Sequence, residues 1–170
     1  MVIAQLEEFF EYKNKLMGKI LTDETLVKLI NEDATLETAE KLAYTQVFPA
    51  HYIPETTHDG STFVCFDVDI LSAPNKTFYT PVIYIWVIVH RSRLRLPEGG
   101  VRSDKICSEL CKLINGTKDI GLGEVRLYSS KVYAPQTDYT GKVLTFDAKD
   151  FNRPDNSKKR PVPSNRKTGE

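Results

Sequence analysis

The side chains that could bind a metal ion are few and scattered. Cys107 and Cys111 are four residues apart, a spacing that places two thiols on one face of a helix. A zinc site needs further ligands, and the three histidines share no spacing with this pair: His51, His58 and His90. Because cysteine is among the most buried residue types, we interpret Cys107, Cys111 and Cys65 as reduced, mostly buried thiols. We expect no metal ion and no other cofactor.

Local catalytic motifs are absent from the sequence. Asp67 and Asp69 would point the same way from one strand, as paired acids do, but a solvated sheet face or a subunit interface is the favoured interpretation. Gly99-Gly100 and Gly121-Leu-Gly123 are too short for a phosphate-binding loop. We therefore expect a protein that is not an enzyme, and only the scattered histidines and cysteines leave an unrecognised type of enzyme open.

Three arginines carry the clearest functional signal. Arg91, Arg93 and Arg95 occupy alternate positions at the end of a predicted strand, which would direct all three to one side. They form either a solvated edge that prevents unwanted strand pairing, or a basic band that faces a neighbouring subunit or a channel for DNA. The second basic group, Lys158-Lys159-Arg160, has the same two interpretations.

Charge divides the chain unevenly. Lysine plus arginine and aspartate plus glutamate both number 23, so the net charge is zero. Residues 153–170 nevertheless hold six basic and two acidic residues, a net charge of +4, which leaves −4 on residues 1–152. Residues 153–170 are also poor in apolar side chains, which predicts a flexible basic tail. We expect residues 1–152 to form a single domain of a cytosolic protein, because no signal peptide is evident.

A run of eight apolar residues, Val82 to Val89, is the centre of the predicted fold. The run is rich in β-branched and aromatic types and is too short to cross a membrane as a helix. Because both of its faces are apolar, we predict a central strand covered on both sides, by helices or by a neighbouring subunit.

Periodicity and end signals place the other elements around this strand. Helices are predicted over 3–20, from Thr22 or Asp23 through Ile30, over 35–42, and over 103–114 with Ser103 as N-cap. Strands are predicted over 62–70, with Val64, Phe66, Val68 and Ile70 inward, over 123–133 with a bulge near Ser129-Ser130, and over 142–148. A turn is predicted over 135–141. The fold class is α+β, with N-terminal helices and one mainly antiparallel four-stranded sheet that has a helix between its two strand pairs.

Three segments resemble proteins at the head–tail junction of tailed bacteriophages. They are Val47 to Thr57 followed by Thr62 to Asp67, then Val101 to Ile106, and finally Gly141 to Phe151. The resemblance extends over about residues 5–151 and excludes the basic tail. It implies a virion structural protein, made in the host bacterial cytoplasm, that forms a ring, often a hexamer. The ring terminates the tail tube or joins it to the head connector, and DNA passes through its centre. A tail terminator is preferred over a neck protein.

Candidate interface residues follow from the residue types and from the family resemblance. Protein interfaces are rich in aromatic side chains and arginine, and five tyrosines are predicted to be exposed: Tyr52, Tyr79, Tyr128, Tyr133 and Tyr139. The interface or lumen candidates are Arg91, Arg93, Arg95, Tyr52, Lys158, Lys159 and Arg160. The expected partners are further copies of the chain, tail-tube and head-connector or neck proteins, and passing DNA, but no membrane. The alternative is a small nucleic-acid-binding α+β module that uses the arginine-rich strand end and the basic tail.

Overall fold

A six-stranded sheet forms the centre of the structure, a computed structural model that describes residues 6–55, 60–72, 78–120, 123–148 and 150–151. Two short 3-10 helices, Ala39–Leu42 and Arg91–Arg93, connect the main elements. Those elements are α1 (Leu6–Thr22), α2 (Glu24–Ile30), β1 (Val47–Phe48), β2 (Thr62–Ser72), β3 (Phe78–His90), α3 (Arg102–Ile114), β4 (Arg126–Gln136), β5 (Tyr139–Asp147) and β6 (Asp150–Phe151).

The strand order is β1-β2-β3-β5-β4, and β6 pairs with the first two residues of β3. Only the β1–β2 pair is parallel; the remaining pairs are antiparallel. The predicted α+β class is confirmed, because β2, β3, β5 and β4 are the four long strands and α3 lies between the two strand pairs in sequence. The two-residue strands β1 and β6 were not predicted.

One face of the sheet carries the main core. Ile83, Ile85 and Val87 of β3 are at most 1% exposed, and they share a buried cluster with residues of all three α-helices. Val64, Phe66 and Val68 of β2 belong to the same cluster, with Ile70 packed against it. The inward set predicted from the alternation of β2 is therefore confirmed. Alternation reveals it because successive strand side chains point to opposite faces.

The opposite sheet face, which we call the open face, has a second, smaller cluster. It contains Phe63, Cys65, Ile88 and Tyr139, with four partly buried aromatic side chains packed against it: Phe48, Tyr52, Trp86 and Tyr133. None of the described helical residues belongs to this cluster. The prediction that β3 is covered by helices or by a neighbouring subunit is confirmed for the first face, which the helices cover. On the open face, this half of the strand is covered by the segment after β1 of the same chain, which is neither.

Of three predicted helix starts, one is confirmed and two differ from the structure. Asp23 caps α2, since its Oδ1 accepts a hydrogen bond of 2.9 Å from the amide of Leu26. The prediction that Ser103 caps α3 is wrong: the N-cap is Val101, and Ser103 lies buried in the first turn. The predicted helix from Thr35 is also shorter, because the hydroxyl of Thr38 accepts from the amide of Thr35 and holds a turn before the 3-10 helix begins.

The β4–β5 hairpin is longer than predicted. A register shift between Leu127 and Ser129 confirms the expected bulge. Gln136 pairs with Tyr139, so the connection is only two residues long and the predicted turn over 135–141 is wrong. The two strands therefore extend to Gln136 and Tyr139, with a second register shift between Tyr133 and Gln136.

Candidate interface surfaces

The three predicted arginines do not form a strand-borne band. β3 ends at His90, whose Nδ1 accepts from the amide of Ser92 at 3.3 Å and turns the chain into a 3-10 helix. The side chains of Arg91, Arg93 and Arg95 are all exposed, but they do not follow the alternation of one strand. The geometric premise of the prediction is therefore wrong, and a role for these residues at an interface stays a prediction.

Two of the arginines have separate local partners. Arg91 Nε donates to the carbonyl oxygen of Thr137 at 2.5 Å, which fastens the end of β3 to the β4–β5 turn. Arg93 Nη1 lies 3.9 Å from the carboxylate of Glu32, beyond the C-terminal end of α2. The side chain of Arg91 therefore contacts the β4–β5 turn, whereas that of Arg93 lies near the end of α2.

Arg102 is the charged residue that sequence reasoning missed. Its side chain is buried and donates to the carbonyl oxygens of Arg93 at 2.9 Å and Leu29 at 3.0 Å, and to the carboxylate of Glu32. This guanidinium thus joins α2, the 3-10 helix after β3 and the start of α3. No local signal marks it, since its carboxylate partner lies 70 residues away in the sequence.

The predicted exposed tyrosines have several different environments. Tyr52 is half-buried and its ring stacks on that of Phe48, with centroids 4.2 Å apart. Tyr139 is fully buried, so its predicted exposure is wrong; it lies opposite His90 in the register and packs with Phe63. Tyr128 is 69% exposed, as predicted. The side chain of Tyr79 and the group Lys158, Lys159 and Arg160 lie outside what the structure describes, as does the whole predicted tail, 153–170.

His51 holds the segment after β1 against the open face. Its Nε2 shares a hydrogen bond of 2.7 Å with the hydroxyl of Tyr133, and its ring centroid lies 4.5 Å from that of Trp86. Burial raises the pKa of Tyr133 above its ordinary value. His90 contacts Ser92 instead, and His58 falls among the residues that are not described. His51 therefore makes a packing contact across the sheet.

Burial disfavours the charged, thiolate form of all three cysteines. Cys65 and Cys107 are buried, as predicted, and burial raises the pKa of each to about 12. Burial also raises the pKa of the half-buried Cys111. A thiol must lose its proton to ligate a metal or attack a substrate. Within the described ranges, no three His, Cys, Asp or Glu side chains are close enough together to hold a metal ion.

The outer strand β4 carries three exposed apolar side chains. Leu127, Tyr128 and Val132 are 41%, 69% and 80% exposed. The strand pairs with β5 on one side only, and no described strand pairs with its other side. An exposed strand edge presents unpaired amide and carbonyl groups to another chain.

The structure is therefore that of a small α+β protein. Its candidate interface surfaces are the edge of β4 and the open face of the sheet. Residues 23–148 match the YomW family, and the chain therefore belongs to that family. Membership indicates a phage-associated protein. The resemblance of the sequence to proteins of tailed bacteriophages agrees with this assignment. No curated protein matches the chain. None of the helices in the described part of the chain is long and apolar enough to cross a membrane.

Proposed function

We propose that this phage protein is a virion structural subunit at the head–tail junction, where copies form a ring that terminates the tail tube or joins it to the head connector. A tail terminator is preferred over a neck protein. The mechanism is geometric: contacts between copies close the ring, and the ends of the subunit meet the neighbouring tail-tube and connector proteins. DNA passes through the centre of the ring.

The observation that carries this proposal is the unpaired edge of β4. Its regular stretch, Ser129 to Tyr133, lies between two register shifts. Lys131 is exposed there, and a lysine on an edge limits indiscriminate pairing. Val132 at 80% exposure leaves an apolar side chain for a specific partner to bury. Burying a valine contributes about 1.5 to 3 kcal/mol.

Strand directions make a second copy a suitable partner. β2 runs opposite to β3, β3 opposite to β5, and β5 opposite to β4, so β2 and β4 run in opposite directions. β1 is parallel to β2. A second copy that placed its β1–β2 edge beside β4 would therefore continue the antiparallel pattern. Contacts between two different surfaces are heterologous, and they close into a ring when the rotation between copies permits it.

The first experiment is the solution mass by light scattering across protein concentration, with negative-stain images of any large species. We expect a closed ring of several 19.3 kDa subunits, most simply six, with a central hole. In Val132→Lys, the introduced charge would have to be buried between copies, so the ring is expected to dissociate to monomers. Leu36→Lys is the matched control, since Leu36 is 48% exposed and lies outside the sheet.

Two results would contradict the proposal. A dimer that Val132→Lys disrupts would indicate that β4 pairs with β4 of one other copy, which is a closed two-fold contact and not a ring. A ring that is unaffected by Val132→Lys would show that β4 is not the contact. Failure of a Val132→Lys phage to join heads to tails, with Leu36→Lys phage normal, would place the contact at the junction.

The second candidate function is nucleic-acid binding on the open face. Tyr84 and Trp86 are half-buried, and stacked rings on a sheet are a platform for bases. Asp69 and Asp147 lie on the same face and would repel phosphates. Salt-sensitive binding of single-stranded DNA that Trp86→Ala abolishes would favour this function over the ring.

A further inference from the structure

Beyond the segment after β1, the open face has an acidic and aromatic part in which Asp69 is exposed and Tyr84, Trp86 and Asp147 are half-buried, while Val82 is 2% exposed. Val82, Tyr84 and Trp86 follow one another on β3. Asp69 of β2 and Asp147 of β5 flank Val82 on either side in the strand register. The rings of Tyr84 and Trp86 are stacked, with centroids 5.8 Å apart. We call these five residues the acidic-aromatic surface.

The two carboxylates of this surface are free to accept a partner. Neighbouring Asp67 is already paired with Lys13 of α1 at 2.5 Å. Arg126, opposite Asp147 in the register, is paired with Glu124 at 3.0 Å. Within the described ranges, the side chains of Asp69 and Asp147 have no hydrogen bond or ion pair, although the backbones of both residues pair in the sheet. A cleft of about 410 Å³ borders Asp147 and is also lined by Thr80 and Glu124.

The chain itself contains a segment with the complementary chemistry. Residues 158–163 read Lys-Lys-Arg-Pro-Val-Pro. Proline-rich segments favour the extended polyproline II conformation and bind to aromatic surfaces with little loss of entropy. Lysine and arginine pair with carboxylates and also interact favourably with the faces of aromatic rings. A basic group followed by prolines therefore matches a carboxylate pair followed by Tyr84 and Trp86.

The reach of the chain fits this assignment. Phe151 pairs with Phe78, four residues before Val82 on β3, which is about 13 Å along the strand. The nine residues from Phe151 to Arg160 can span roughly 30 Å when extended. The span of the nine residues exceeds the distance along the strand, so the chain is long enough to reverse its direction. Pro154-Asp155-Asn156 is a sequence that suits a turn. The basic group then reaches the carboxylates while the prolines reach the rings.

We propose that residues 158–163 bind the acidic-aromatic surface of their own chain, with the basic group at Asp69 and Asp147 and the prolines on Tyr84 and Trp86. In the free subunit this contact covers the carboxylates of Asp69 and Asp147 and the exposed parts of the Tyr84 and Trp86 rings. A binding partner of that face must then displace the segment. The proposal concerns the free subunit, so it does not depend on the ring.

Trp86 is the single tryptophan of the chain, so all tryptophan fluorescence comes from this side chain, whose ring also contacts His51 of the segment after β1. The measurement is quenching by acrylamide in the full-length protein at a low concentration. We expect the triple variant Lys158→Glu, Lys159→Glu, Arg160→Glu to raise the quenching constant about twofold, because an indole covered by the segment becomes open to collisions. Asp69→Asn with Asp147→Asn is expected to give the same rise. So is Pro161→Ala with Pro163→Ala.

The matched control is Arg166→Glu with Lys167→Glu, which changes charge in the same region of the chain but outside the segment. It should leave the quenching constant unchanged. Combining Asp69→Lys and Asp147→Lys with the triple glutamate variant should restore protection by exchanging the two charges. Equal quenching in wild type and all variants overturns the proposal. Protection that appears only as the protein concentration rises also overturns it, because the segment would then come from a second copy.

Discussion

The guanidinium of Arg102 is buried at the start of α3 and donates a hydrogen bond to the carboxylate of Glu32, which is half-exposed beyond the end of α2. The same guanidinium binds the carbonyl oxygens of Leu29 and Arg93. One side chain therefore satisfies three acceptors from two segments, the end of α2 and the 3-10 helix after β3. A buried charge is tolerated when it is paired and hydrogen-bonded in this way.

Loss of this contact is expected to destabilise the fold. Arg102→Met keeps much of the side-chain volume but leaves the buried carbonyl oxygens without a donor, and it should lower the free energy of unfolding by about 2 to 3 kcal/mol. Glu32→Gln leaves the buried cation without its counter-ion and should cost about 1 to 2 kcal/mol, because Glu32 is partly solvated. Urea denaturation measures both values.

The control for Glu32 is Glu24→Gln, since Glu24 pairs only with Lys28 on the exposed side of α2. Exposed pairs of this kind contribute less than about 1 kcal/mol. If Glu32→Gln and Glu24→Gln shift the unfolding midpoint equally, the buried ion pair does not stabilise the fold. Arg102→Met in the Glu32→Gln background should cost less than in the wild type, because the two residues are in contact.

Two glycines are expected to respond to alanine in opposite directions. Gly141 of β5 lies opposite Ile88 of β3, and a methyl group there would overlap the backbone carbonyl of Val87. Gly141→Ala should therefore lower the unfolding free energy by about 3 kcal/mol or abolish folding. Gly18 of α1 has open space around it, so Gly18→Ala should raise the unfolding free energy by about 0.5 to 1 kcal/mol.

Thermal unfolding followed by circular dichroism measures both variants under one condition. A stable Gly141→Ala protein would show that β3 and β5 separate more easily at this point than their register indicates. A destabilised Gly18→Ala protein would indicate that the exposed face of α1 contacts something in solution. Either outcome would be visible without any assay of function.

The parts of the fold that the sequence predicted depend on local rules. The alternation in β2, the apolar run of β3 and the cap at Asp23 each follow from the residues themselves. The bulge in β4 was visible because Val132 is out of phase with Leu127. None of these predictions required information about residues that are distant in the sequence.

The parts that failed depend on distant contacts. The 3-10 helix at Arg91 removes the alternation expected of the arginines, and it is fastened by the carbonyl oxygen of Thr137 from another hairpin. Tyr139 is buried because Phe63 and His90 surround it. Arg102 depends on Glu32. The sequence around each residue gives no sign of the partner, whereas His90 before Ser92 was a cap signal that could have marked the end of β3.

The hydrogen bond between His51 and Tyr133 predicts a measurable role for the segment after β1. Tyr133→Phe removes the hydroxyl that lies 2.7 Å from His51 Nε2. The loss should cost about 0.5 to 1 kcal/mol of unfolding free energy and should alter the fluorescence of Trp86, whose ring contacts His51. Tyr128→Phe is the control, because Tyr128 is 69% exposed and makes no hydrogen bond to any described residue. An unchanged Trp86 spectrum in Tyr133→Phe would mean that the segment is held by ring packing alone.

The buried thiols predict the behaviour of the protein at high pH. The pKa of Cys65 is about 12 in the folded state, against an ordinary value of 9.0, because burial disfavours the thiolate. Below pH 9 both folded and unfolded chains keep this proton, so the thiol has no effect on stability. Between pH 9 and 12 the unfolded chain releases the proton while the folded chain retains it. The unfolding free energy should then fall as the pH rises, by about 1.4 kcal/mol per pH unit for one thiol.

Lysines and tyrosines also titrate in this range, so the difference between variants is the useful quantity. Cys65→Ala should lower stability at every pH through the cavity it leaves, and it should also flatten the fall above pH 9. Cys111→Ala is the control, since Cys111 is only half-buried and the fall should persist. At pH 8 an aromatic disulfide reagent should modify Cys111 first and reach Cys65 and Cys107 only on unfolding. Rapid modification of Cys65 in the folded protein would show that the segment after β1 opens readily and exposes the open face.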